Sequence, residues 1–298
     1  MFEGFKTSVV DVGETTIFIH RKGTGKPLLL LHGFPETHLM WHRIAPALAE
    51  EFTVICADLR GYGASGKPPS TPDHLPYSKA VMALDMLTMM QAEGFSRFSV
   101  VGHDRGARVA YRMALDHAVR IERLAVLDIV PTSDVFRRAD FRLALAFWPW
   151  SLLSQPTPLP ERLLANNADA VVDDALGGWG SDPASFPPEV RGAYVEALRD
   201  PETIRAICEE YRAASTIDFA KEVQDREAGL LIQCPTLVLW SQGSGLDTWY
   251  MDAGGPLAIW RDWAVHVRGC AVAGGHFFPE ENPAQTIAEL GAFFLEAR

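Results

Sequence analysis

The stretch Ser99-Val100-Val101-Gly102-His103-Asp104-Arg105-Gly106 decides how the rest of the chain is read. A β-like run at 98–101 (FSVV) ends in a five-residue G-x-D-x-G turn, and apolar residues at helical spacing follow at once over 105–118. The two glycines let the backbone pass a tight turn that larger side chains would block. The side chain at the centre is thrust above the strand end. Asp104 holds that position at the start of a helix, where free N–H groups and the helix dipole favour an ionised carboxylate. Such a carboxylate is a nucleophile toward alkyl carbon. Asp is also a common helix N-cap, so the pentapeptide needs support from elsewhere in the chain.

Two further segments supply it, both in the expected order. Leu31-His32-Gly33-Phe34-Pro35 follows the apolar run 28–31 (LLLL), where a loop carrying oxyanion-binding N–H groups belongs. Gly274-Gly275-His276-Phe277 follows a weaker β pattern at 265–272, where a general base belongs. Asp104, then Asp128 or Asp247, then His276 is the nucleophile–acid–base order of the α/β-hydrolase fold.

The wider pattern agrees. Runs at 15–20, 28–31, 52–58, 98–101, 124–129 and 236–241 read as strands, and 40–50, 78–93, 105–118 and 283–297 as helices. This alternation predicts an α/β fold with a mostly parallel sheet covered by helices. Met86, Met89 and Met90 fall on one such helix and read as core. Residues 131–225 carry no β run and are rich in Trp, Pro, Ala and Arg. They read as an inserted helical cap, with the hydrolase core formed by 1–130 and 226–298.

Composition narrows the function. At 298 residues and 48% hydrophobic, the chain can bury a sizeable core. A formal charge of −11 with no basic stripe argues against a nucleic-acid partner. An acidic protein that handles an anion needs local arginines to overcome its own field. No apolar run reaches the ~20 residues of a membrane helix, and the N-terminus lacks the pattern of a secretory signal. Four scattered cysteines without a C-x-x-C pair read as free thiols, which favours a cytoplasmic location. No His/Asp/Glu group has metal spacing, and Gly23-Thr24-Gly25 is too weak a signal for a phosphate cradle, so no metal or cofactor is expected.

Six segments together, H-G-F-P-E, D-L-R-G-Y-G-A-S, G-H-D-R-G-A-R-V-A-Y-R, L-A-V-L-D-I-V-P-T, C-E-E-Y-R-A and G-H-F-F-P-E, resemble the fluoroacetate (haloacetate) dehalogenase family over nearly the whole chain. The first two are shared with epoxide hydrolases; the third and fifth are more selective. The residues themselves point the same way. Arg105 and Arg108 crowd the nucleophile's end of the helix, and two guanidiniums there suit a substrate carboxylate. The chemistry expected is attack by Asp104 on the halogen-bearing carbon, then hydrolysis of the resulting ester by water activated at His276. Backbone N–H groups of Phe34 and Arg105 would hold the oxyanion.

The acid partner of His276 is Asp128 or Asp247; the resemblance favours Asp128. It also implies halide donors in the cap from His, Trp and Tyr. Trp150 and Tyr211 match two of these, whereas Pro149 stands where a His is expected and offers no donor. Chloro- and bromoacetate are therefore expected to react more readily than fluoroacetate, unless the Trp148 indole compensates. Trp148 and Trp179 otherwise read as cap packing, His32 and His103 as structural, and His38 and His42 as helix-surface residues. The resemblance further suggests a homodimer. An epoxide hydrolase, with Tyr211 and Tyr194 as proton donors, and a non-catalytic receptor of the same fold are the competing readings.

Overall fold

The computed structural model describes residues 1–296. Eight strands form one sheet: β1 (Lys6–Asp11), β2 (Thr16–Lys22), β3 (Lys26–Leu31), β4 (Phe52–Ala57), β5 (Phe98–His103), β6 (Ile121–Leu127), β7 (Thr236–Ser241) and β8 (Val267–Val272). Their order across the sheet is β1-β2-β4-β3-β5-β6-β7-β8, antiparallel at β1–β2 and β2–β4 and parallel from β4 onward.

The parallel strands β3 to β7 are largely buried on both faces, which explains their apolar runs, whereas β8 at the edge is not. Leu29 and Leu31 of β3 pack with Ile55 and with Met82, Met86, Met89 and Met90 of the helix Lys79–Ala92. Leu28 and Leu30 turn to the opposite face, toward Trp41, Val54 and Phe293 of the closing helix Pro283–Leu295.

Two departures from the sequence expectation are local. Strand β1 (KTSVVD) was not expected; it is an edge strand with little burial, so its apolar alternation is weak. The helical pattern at 40–50 breaks into a 3₁₀ turn, His38–Arg43, and a short helix, Ala45–Leu48. Pro46 stands in the first turn of the second piece, where its missing N–H costs nothing.

Between β6 and β7 the named elements are all helical, among them Pro149–Leu152, Ala168–Gly178, Pro188–Arg199 and Pro201–Ala213. A π-helical turn, Ala214–Asp218, leads into the helix Phe219–Glu227. Among the described residues no helix is long and apolar enough to cross a membrane. The chain turns back on itself between β3 and β5, since β4 lies on one side of β3 and β5 on the other. Crevices at such a switch point, beyond the carboxyl ends of the strands, are where open α/β sheets bind ligands.

Candidate active site

Strand β5 runs directly into the helix Asp104–Asp116, and Asp104 takes φ = +43° at the junction. Asp128, just past the end of β6, has φ = +54°. Left-handed backbone at a non-glycine residue costs of order 1–3 kcal/mol and persists where surrounding structure enforces it. Here the enforcement is visible. A Cβ on Gly106 would lie 2.3 Å from the His32 carbonyl oxygen, and one on Gly33 would lie 2.5 Å from Asp104 Cβ. The loop after β3 and the turn after β5 are therefore in direct backbone contact.

That contact places the Phe34 N–H on Asp104, donating to Oδ2 at 3.1 Å. Burial alone would raise the Asp104 carboxyl pKa, but His276, Arg105 and Arg108 outweigh it and hold the group below its usual range. Among the described residues, however, no ion pair at contact distance joins Asp104 to either arginine, so the carboxylate is polarised without being masked. The Arg105 N–H lies in the first turn of its helix, where backbone donors lack intrahelical partners.

The structure separates the two candidate acids. Asp128 Oδ2 lies 2.6 Å from His276 Nδ1, and its Oδ1 accepts from the Ser241 N–H at 2.8 Å. Asp247, in the short helix Gly245–Trp249, instead accepts from Trp240 Nε1 of β7 and from the Gly243 N–H, both at 2.8 Å. With a carboxylate on Nδ1, that nitrogen carries the proton and Nε2 presents its lone pair. His103, fully buried, donates from Nε2 to the His276 carbonyl at 2.8 Å and so steadies the base loop. His32 Nε2 accepts from the Leu59 N–H at 3.0 Å, and Nδ1 donates to the Gly33 carbonyl at 2.9 Å. Burial lowers the His32 pKa, which suits this neutral role. His38 is not a helix-surface residue: its Nδ1 lies 2.8 Å from Asp58 Oδ1.

The two arginines diverge. Arg108 lines a cavity of about 30 Å³ together with Asp104, Asp128 and His276. Its Nη1 donates to the Val130 carbonyl and Thr132 Oγ1, each at 3.1 Å, and its guanidinium sits 4.5 Å from the Trp150 ring centroid. Arg105 lies one layer back, against Tyr211 at 4.0 Å and Trp150 at 5.5 Å. It is bound by a residue the sequence reading passed over: Glu210, whose Oε1 accepts from Arg105 Nε at 3.0 Å. The only signal in the sequence was its place beside Tyr211 in C-E-E-Y-R-A.

Trp150, Tyr211 and Pro149 all line the cavity, so the helical segment supplies two aromatic donors and a proline beside them. Burial pushes the Tyr211 phenol well above its usual range and keeps it a donor. Trp148 does not compensate for Pro149, because its indole N–H is engaged by Asp174 at 2.6 Å. Trp179 packs as expected, stacked on Phe277, yet it also lines the cavity and its buried indole N–H has no hydrogen-bond partner among the described residues. Tyr194 is absent from the cavity wall and donates to Glu280 Oε2 at 3.1 Å. At about 10–15 Å³ per water-sized sphere, the cavity holds about two or three such groups, which limits it to small molecules.

A carboxylate at a strand–turn–helix junction at the sheet's switch point, with an Asp–His pair beyond the ends of β6 and β8, is the arrangement of an α/β hydrolase; residues 26–283 match the alpha/beta hydrolase fold family, to which this chain belongs. Within that family it belongs with the fluoroacetate dehalogenases: it is 44% identical over 299 aligned positions to the fluoroacetate dehalogenase of a Burkholderia species, covering 100% of this chain and 96% of that one. It is also 30% identical to the soluble epoxide hydrolase of Corynebacterium sp. (strain C12), across 93% of this chain and 92% of the other. A protein from Nostoc sp PCC 7120, solved as an alpha/beta hydrolase, superposes with a TM-score of 0.95 at 44% identity, each chain covered in full.

Proposed function

We propose that this enzyme is a haloacid dehalogenase that converts small 2-haloacids, haloacetates above all, to the hydroxy acid and halide. In this reading the helical segment 131–225 serves as a cap over the core formed by 1–130 and 226–298. The observation that carries it is the company of Asp104 in a cavity sized for a few atoms: Arg108 lines that cavity and Arg105 lies one layer behind, and among the described residues neither pairs with the carboxylate at contact distance. A neutral substrate has no use for that charge.

The substrate carboxylate sits toward the guanidiniums, directly on Arg108. Asp104 Oδ2 is held by the Phe34 N–H, so Oδ1 attacks the halogen-bearing carbon in line. The C–O bond forms as the C–halogen bond breaks, and halide leaves toward the Trp150 and Tyr211 donors. Oδ2 becomes the carbonyl oxygen of the ester. His276 Nε2 then takes a proton from water, and the hydroxide attacks the ester carbonyl carbon. The oxyanion forms on the oxygen already facing Phe34 N–H, with the Arg105 N–H as the second donor. As it collapses, the bond from that carbon to the alkyl oxygen breaks and the hydroxy acid leaves with the proton held by His276. The Asp104 carboxyl is restored and sheds its proton to solvent. Asp128 holds the imidazole tautomer and stabilises the imidazolium.

The epoxide hydrolase reading draws on the Corynebacterium relative and on the shared kind of nucleophile. It needs a second tyrosine besides Tyr211, and Tyr194, bonded to Glu280, does not serve. One experiment separates the two: halide release from fluoro-, chloro- and bromoacetate by the wild type and by Asp104→Asn. Chloride or bromide released by the wild type alone supports dehalogenation through Asp104. No halide from folded wild type, with diol formed from a small epoxide, overturns it.

A further inference from the structure

Arg105 is completely buried, and a buried guanidinium must be paired and hydrogen-bonded to be tolerated. Its immediate acidic neighbour in sequence is Asp104. Were Arg105 to pair there, the nucleophile would be capped by its own neighbour. It pairs instead with Glu210, which is also fully buried and arrives on the helix Pro201–Ala213 from the far side of the cavity wall.

Glu210 is over-determined. Its Oε1 accepts from Arg105 Nε at 3.0 Å and from Lys79 Nζ at 2.6 Å, and its Oε2 accepts from the Tyr62 hydroxyl at 2.5 Å. Its backbone carbonyl lies 3.4 Å from Arg105 Nη2. Tyr62, Lys79 and Arg105 come from three separate segments of the core, so one carboxylate ties them together. The π-helical turn immediately after that helix adds a second tie, bringing Asp218 Oδ1 to the Lys79 N–H at 2.9 Å. Single π turns of this kind recur at functional sites.

The consequence for Arg105 is selective. Nε and Nη2 are directed at Glu210, while Nη1 is buried with no hydrogen-bond partner among the described residues. A donor left open in this way can take an acceptor that a substrate brings. The guanidinium lies against Tyr211 and near Trp150, both of which line the cavity, so that donor sits one layer behind the cavity wall.

We propose that Glu210 is the positioning residue of the anion subsite: its carboxylate and its backbone carbonyl hold the Nε–Nη2 edge of Arg105 off Asp104 and leave Nη1 for the substrate carboxylate. The proposal rests on the haloacid reading and adds to it a residue that does not touch substrate. Glu210→Gln keeps the shape and removes the charge. Steady-state chloride release from chloroacetate should show KM raised about tenfold or more, as expected when a charge-assisted contact is misdirected, with kcat falling by less than KM rises.

Glycolate, the hydroxy-acid product, titrated calorimetrically, should weaken by a similar factor. Folded Glu210→Gln with KM and glycolate affinity within about twofold of wild type overturns the proposal. If that variant does not fold, Glu210→Asp keeps the charge but withdraws it by one methylene. It should show the same rise in KM, and wild-type binding by it is again a refutation. If the wild type releases no halide, the haloacid reading fails, and the glycolate titration then decides on Glu210 without turnover. Weaker glycolate binding by the variant upholds its role in an anion site; no glycolate binding by the wild type overturns it.

Discussion

Asp128→Asn tests the proposed division of labour most sharply, because the geometry around Asp128 dictates how the amide must sit. Asp128 Oδ1 accepts from the Ser241 backbone N–H at 2.8 Å, and Oδ2 faces His276 Nδ1 at 2.6 Å. A backbone N–H cannot change its role, so the amide oxygen must face Ser241. The amide NH₂ then points at His276 Nδ1 and forces that nitrogen to accept. The proton moves to Nε2, and the base is lost. The opposite flip sets NH₂ against the Ser241 N–H, two buried donors face to face, which costs about 1–3 kcal/mol.

In the serine-protease triad the same exchange lowers kcat about 10⁴-fold through the wrong tautomer, or about 5 kcal/mol of barrier. Here the penalty falls unequally. Alkylation of Asp104 needs no base and should stay fast; hydrolysis of the ester needs Nε2 and should stall. The assay is rapid-quench halide release with intact-protein mass spectrometry. The expected record is a burst of one halide per active site followed by turnover reduced about 10³–10⁴-fold. The protein should carry one added carboxymethyl group on Asp104. Steady turnover above about a tenth of wild type, or a stall with no burst and no adduct, would refute the reasoning.

Gly33→Ala places a methyl 2.5 Å from Asp104 Cβ and 2.9 Å from its Oδ2, with no left-handed backbone to complicate the exchange. It should lower kcat about 10²-fold by displacing the nucleophile, and halide-release kinetics beside a circular-dichroism melt would check it. Wild-type kcat would show that the loop yields. Pro149→His restores a side-chain donor at the cavity wall, and the bond from Leu153 N–H to the carbonyl of residue 149 survives the exchange. Fluoride release relative to chloride should rise about tenfold, as expected for one added donor to a developing anion. An unchanged ratio would remove Pro149 from the account of halogen preference.

Much was legible in the sequence because it is written in local backbone requirements. The G-x-D-x-G turn, the glycine before Phe34 and the runs of β3 and β4 each specify conformation within a few residues. Their order along the chain was enough to predict the fold and to gather Asp104, Phe34 and His276 at one end of the sheet. Strand β1 escaped because an edge strand with little burial carries little pattern.

Partner choice was not local. Asp128 and Asp247 both follow strands, and only the sheet order, with β6, β7 and β8 side by side, brings a residue 148 positions from His276 against its ring while Asp247 turns back onto Trp240 of β7. Trp148 and Trp150 are both indole donors in sequence, yet one is taken by Asp174 and the other lines the cavity. Arg105 reads in sequence as a substrate residue, and nothing near it announces Glu210, which meets it from 105 positions away. The sequence by itself determined the turns, the buried strands and the carboxylate at the strand–helix turn, since these follow from steric and apolar patterning along a few residues. Which carboxylate neutralises which buried cation depends on desolvation and on distances across the packed fold, and that was decided by the tertiary structure alone.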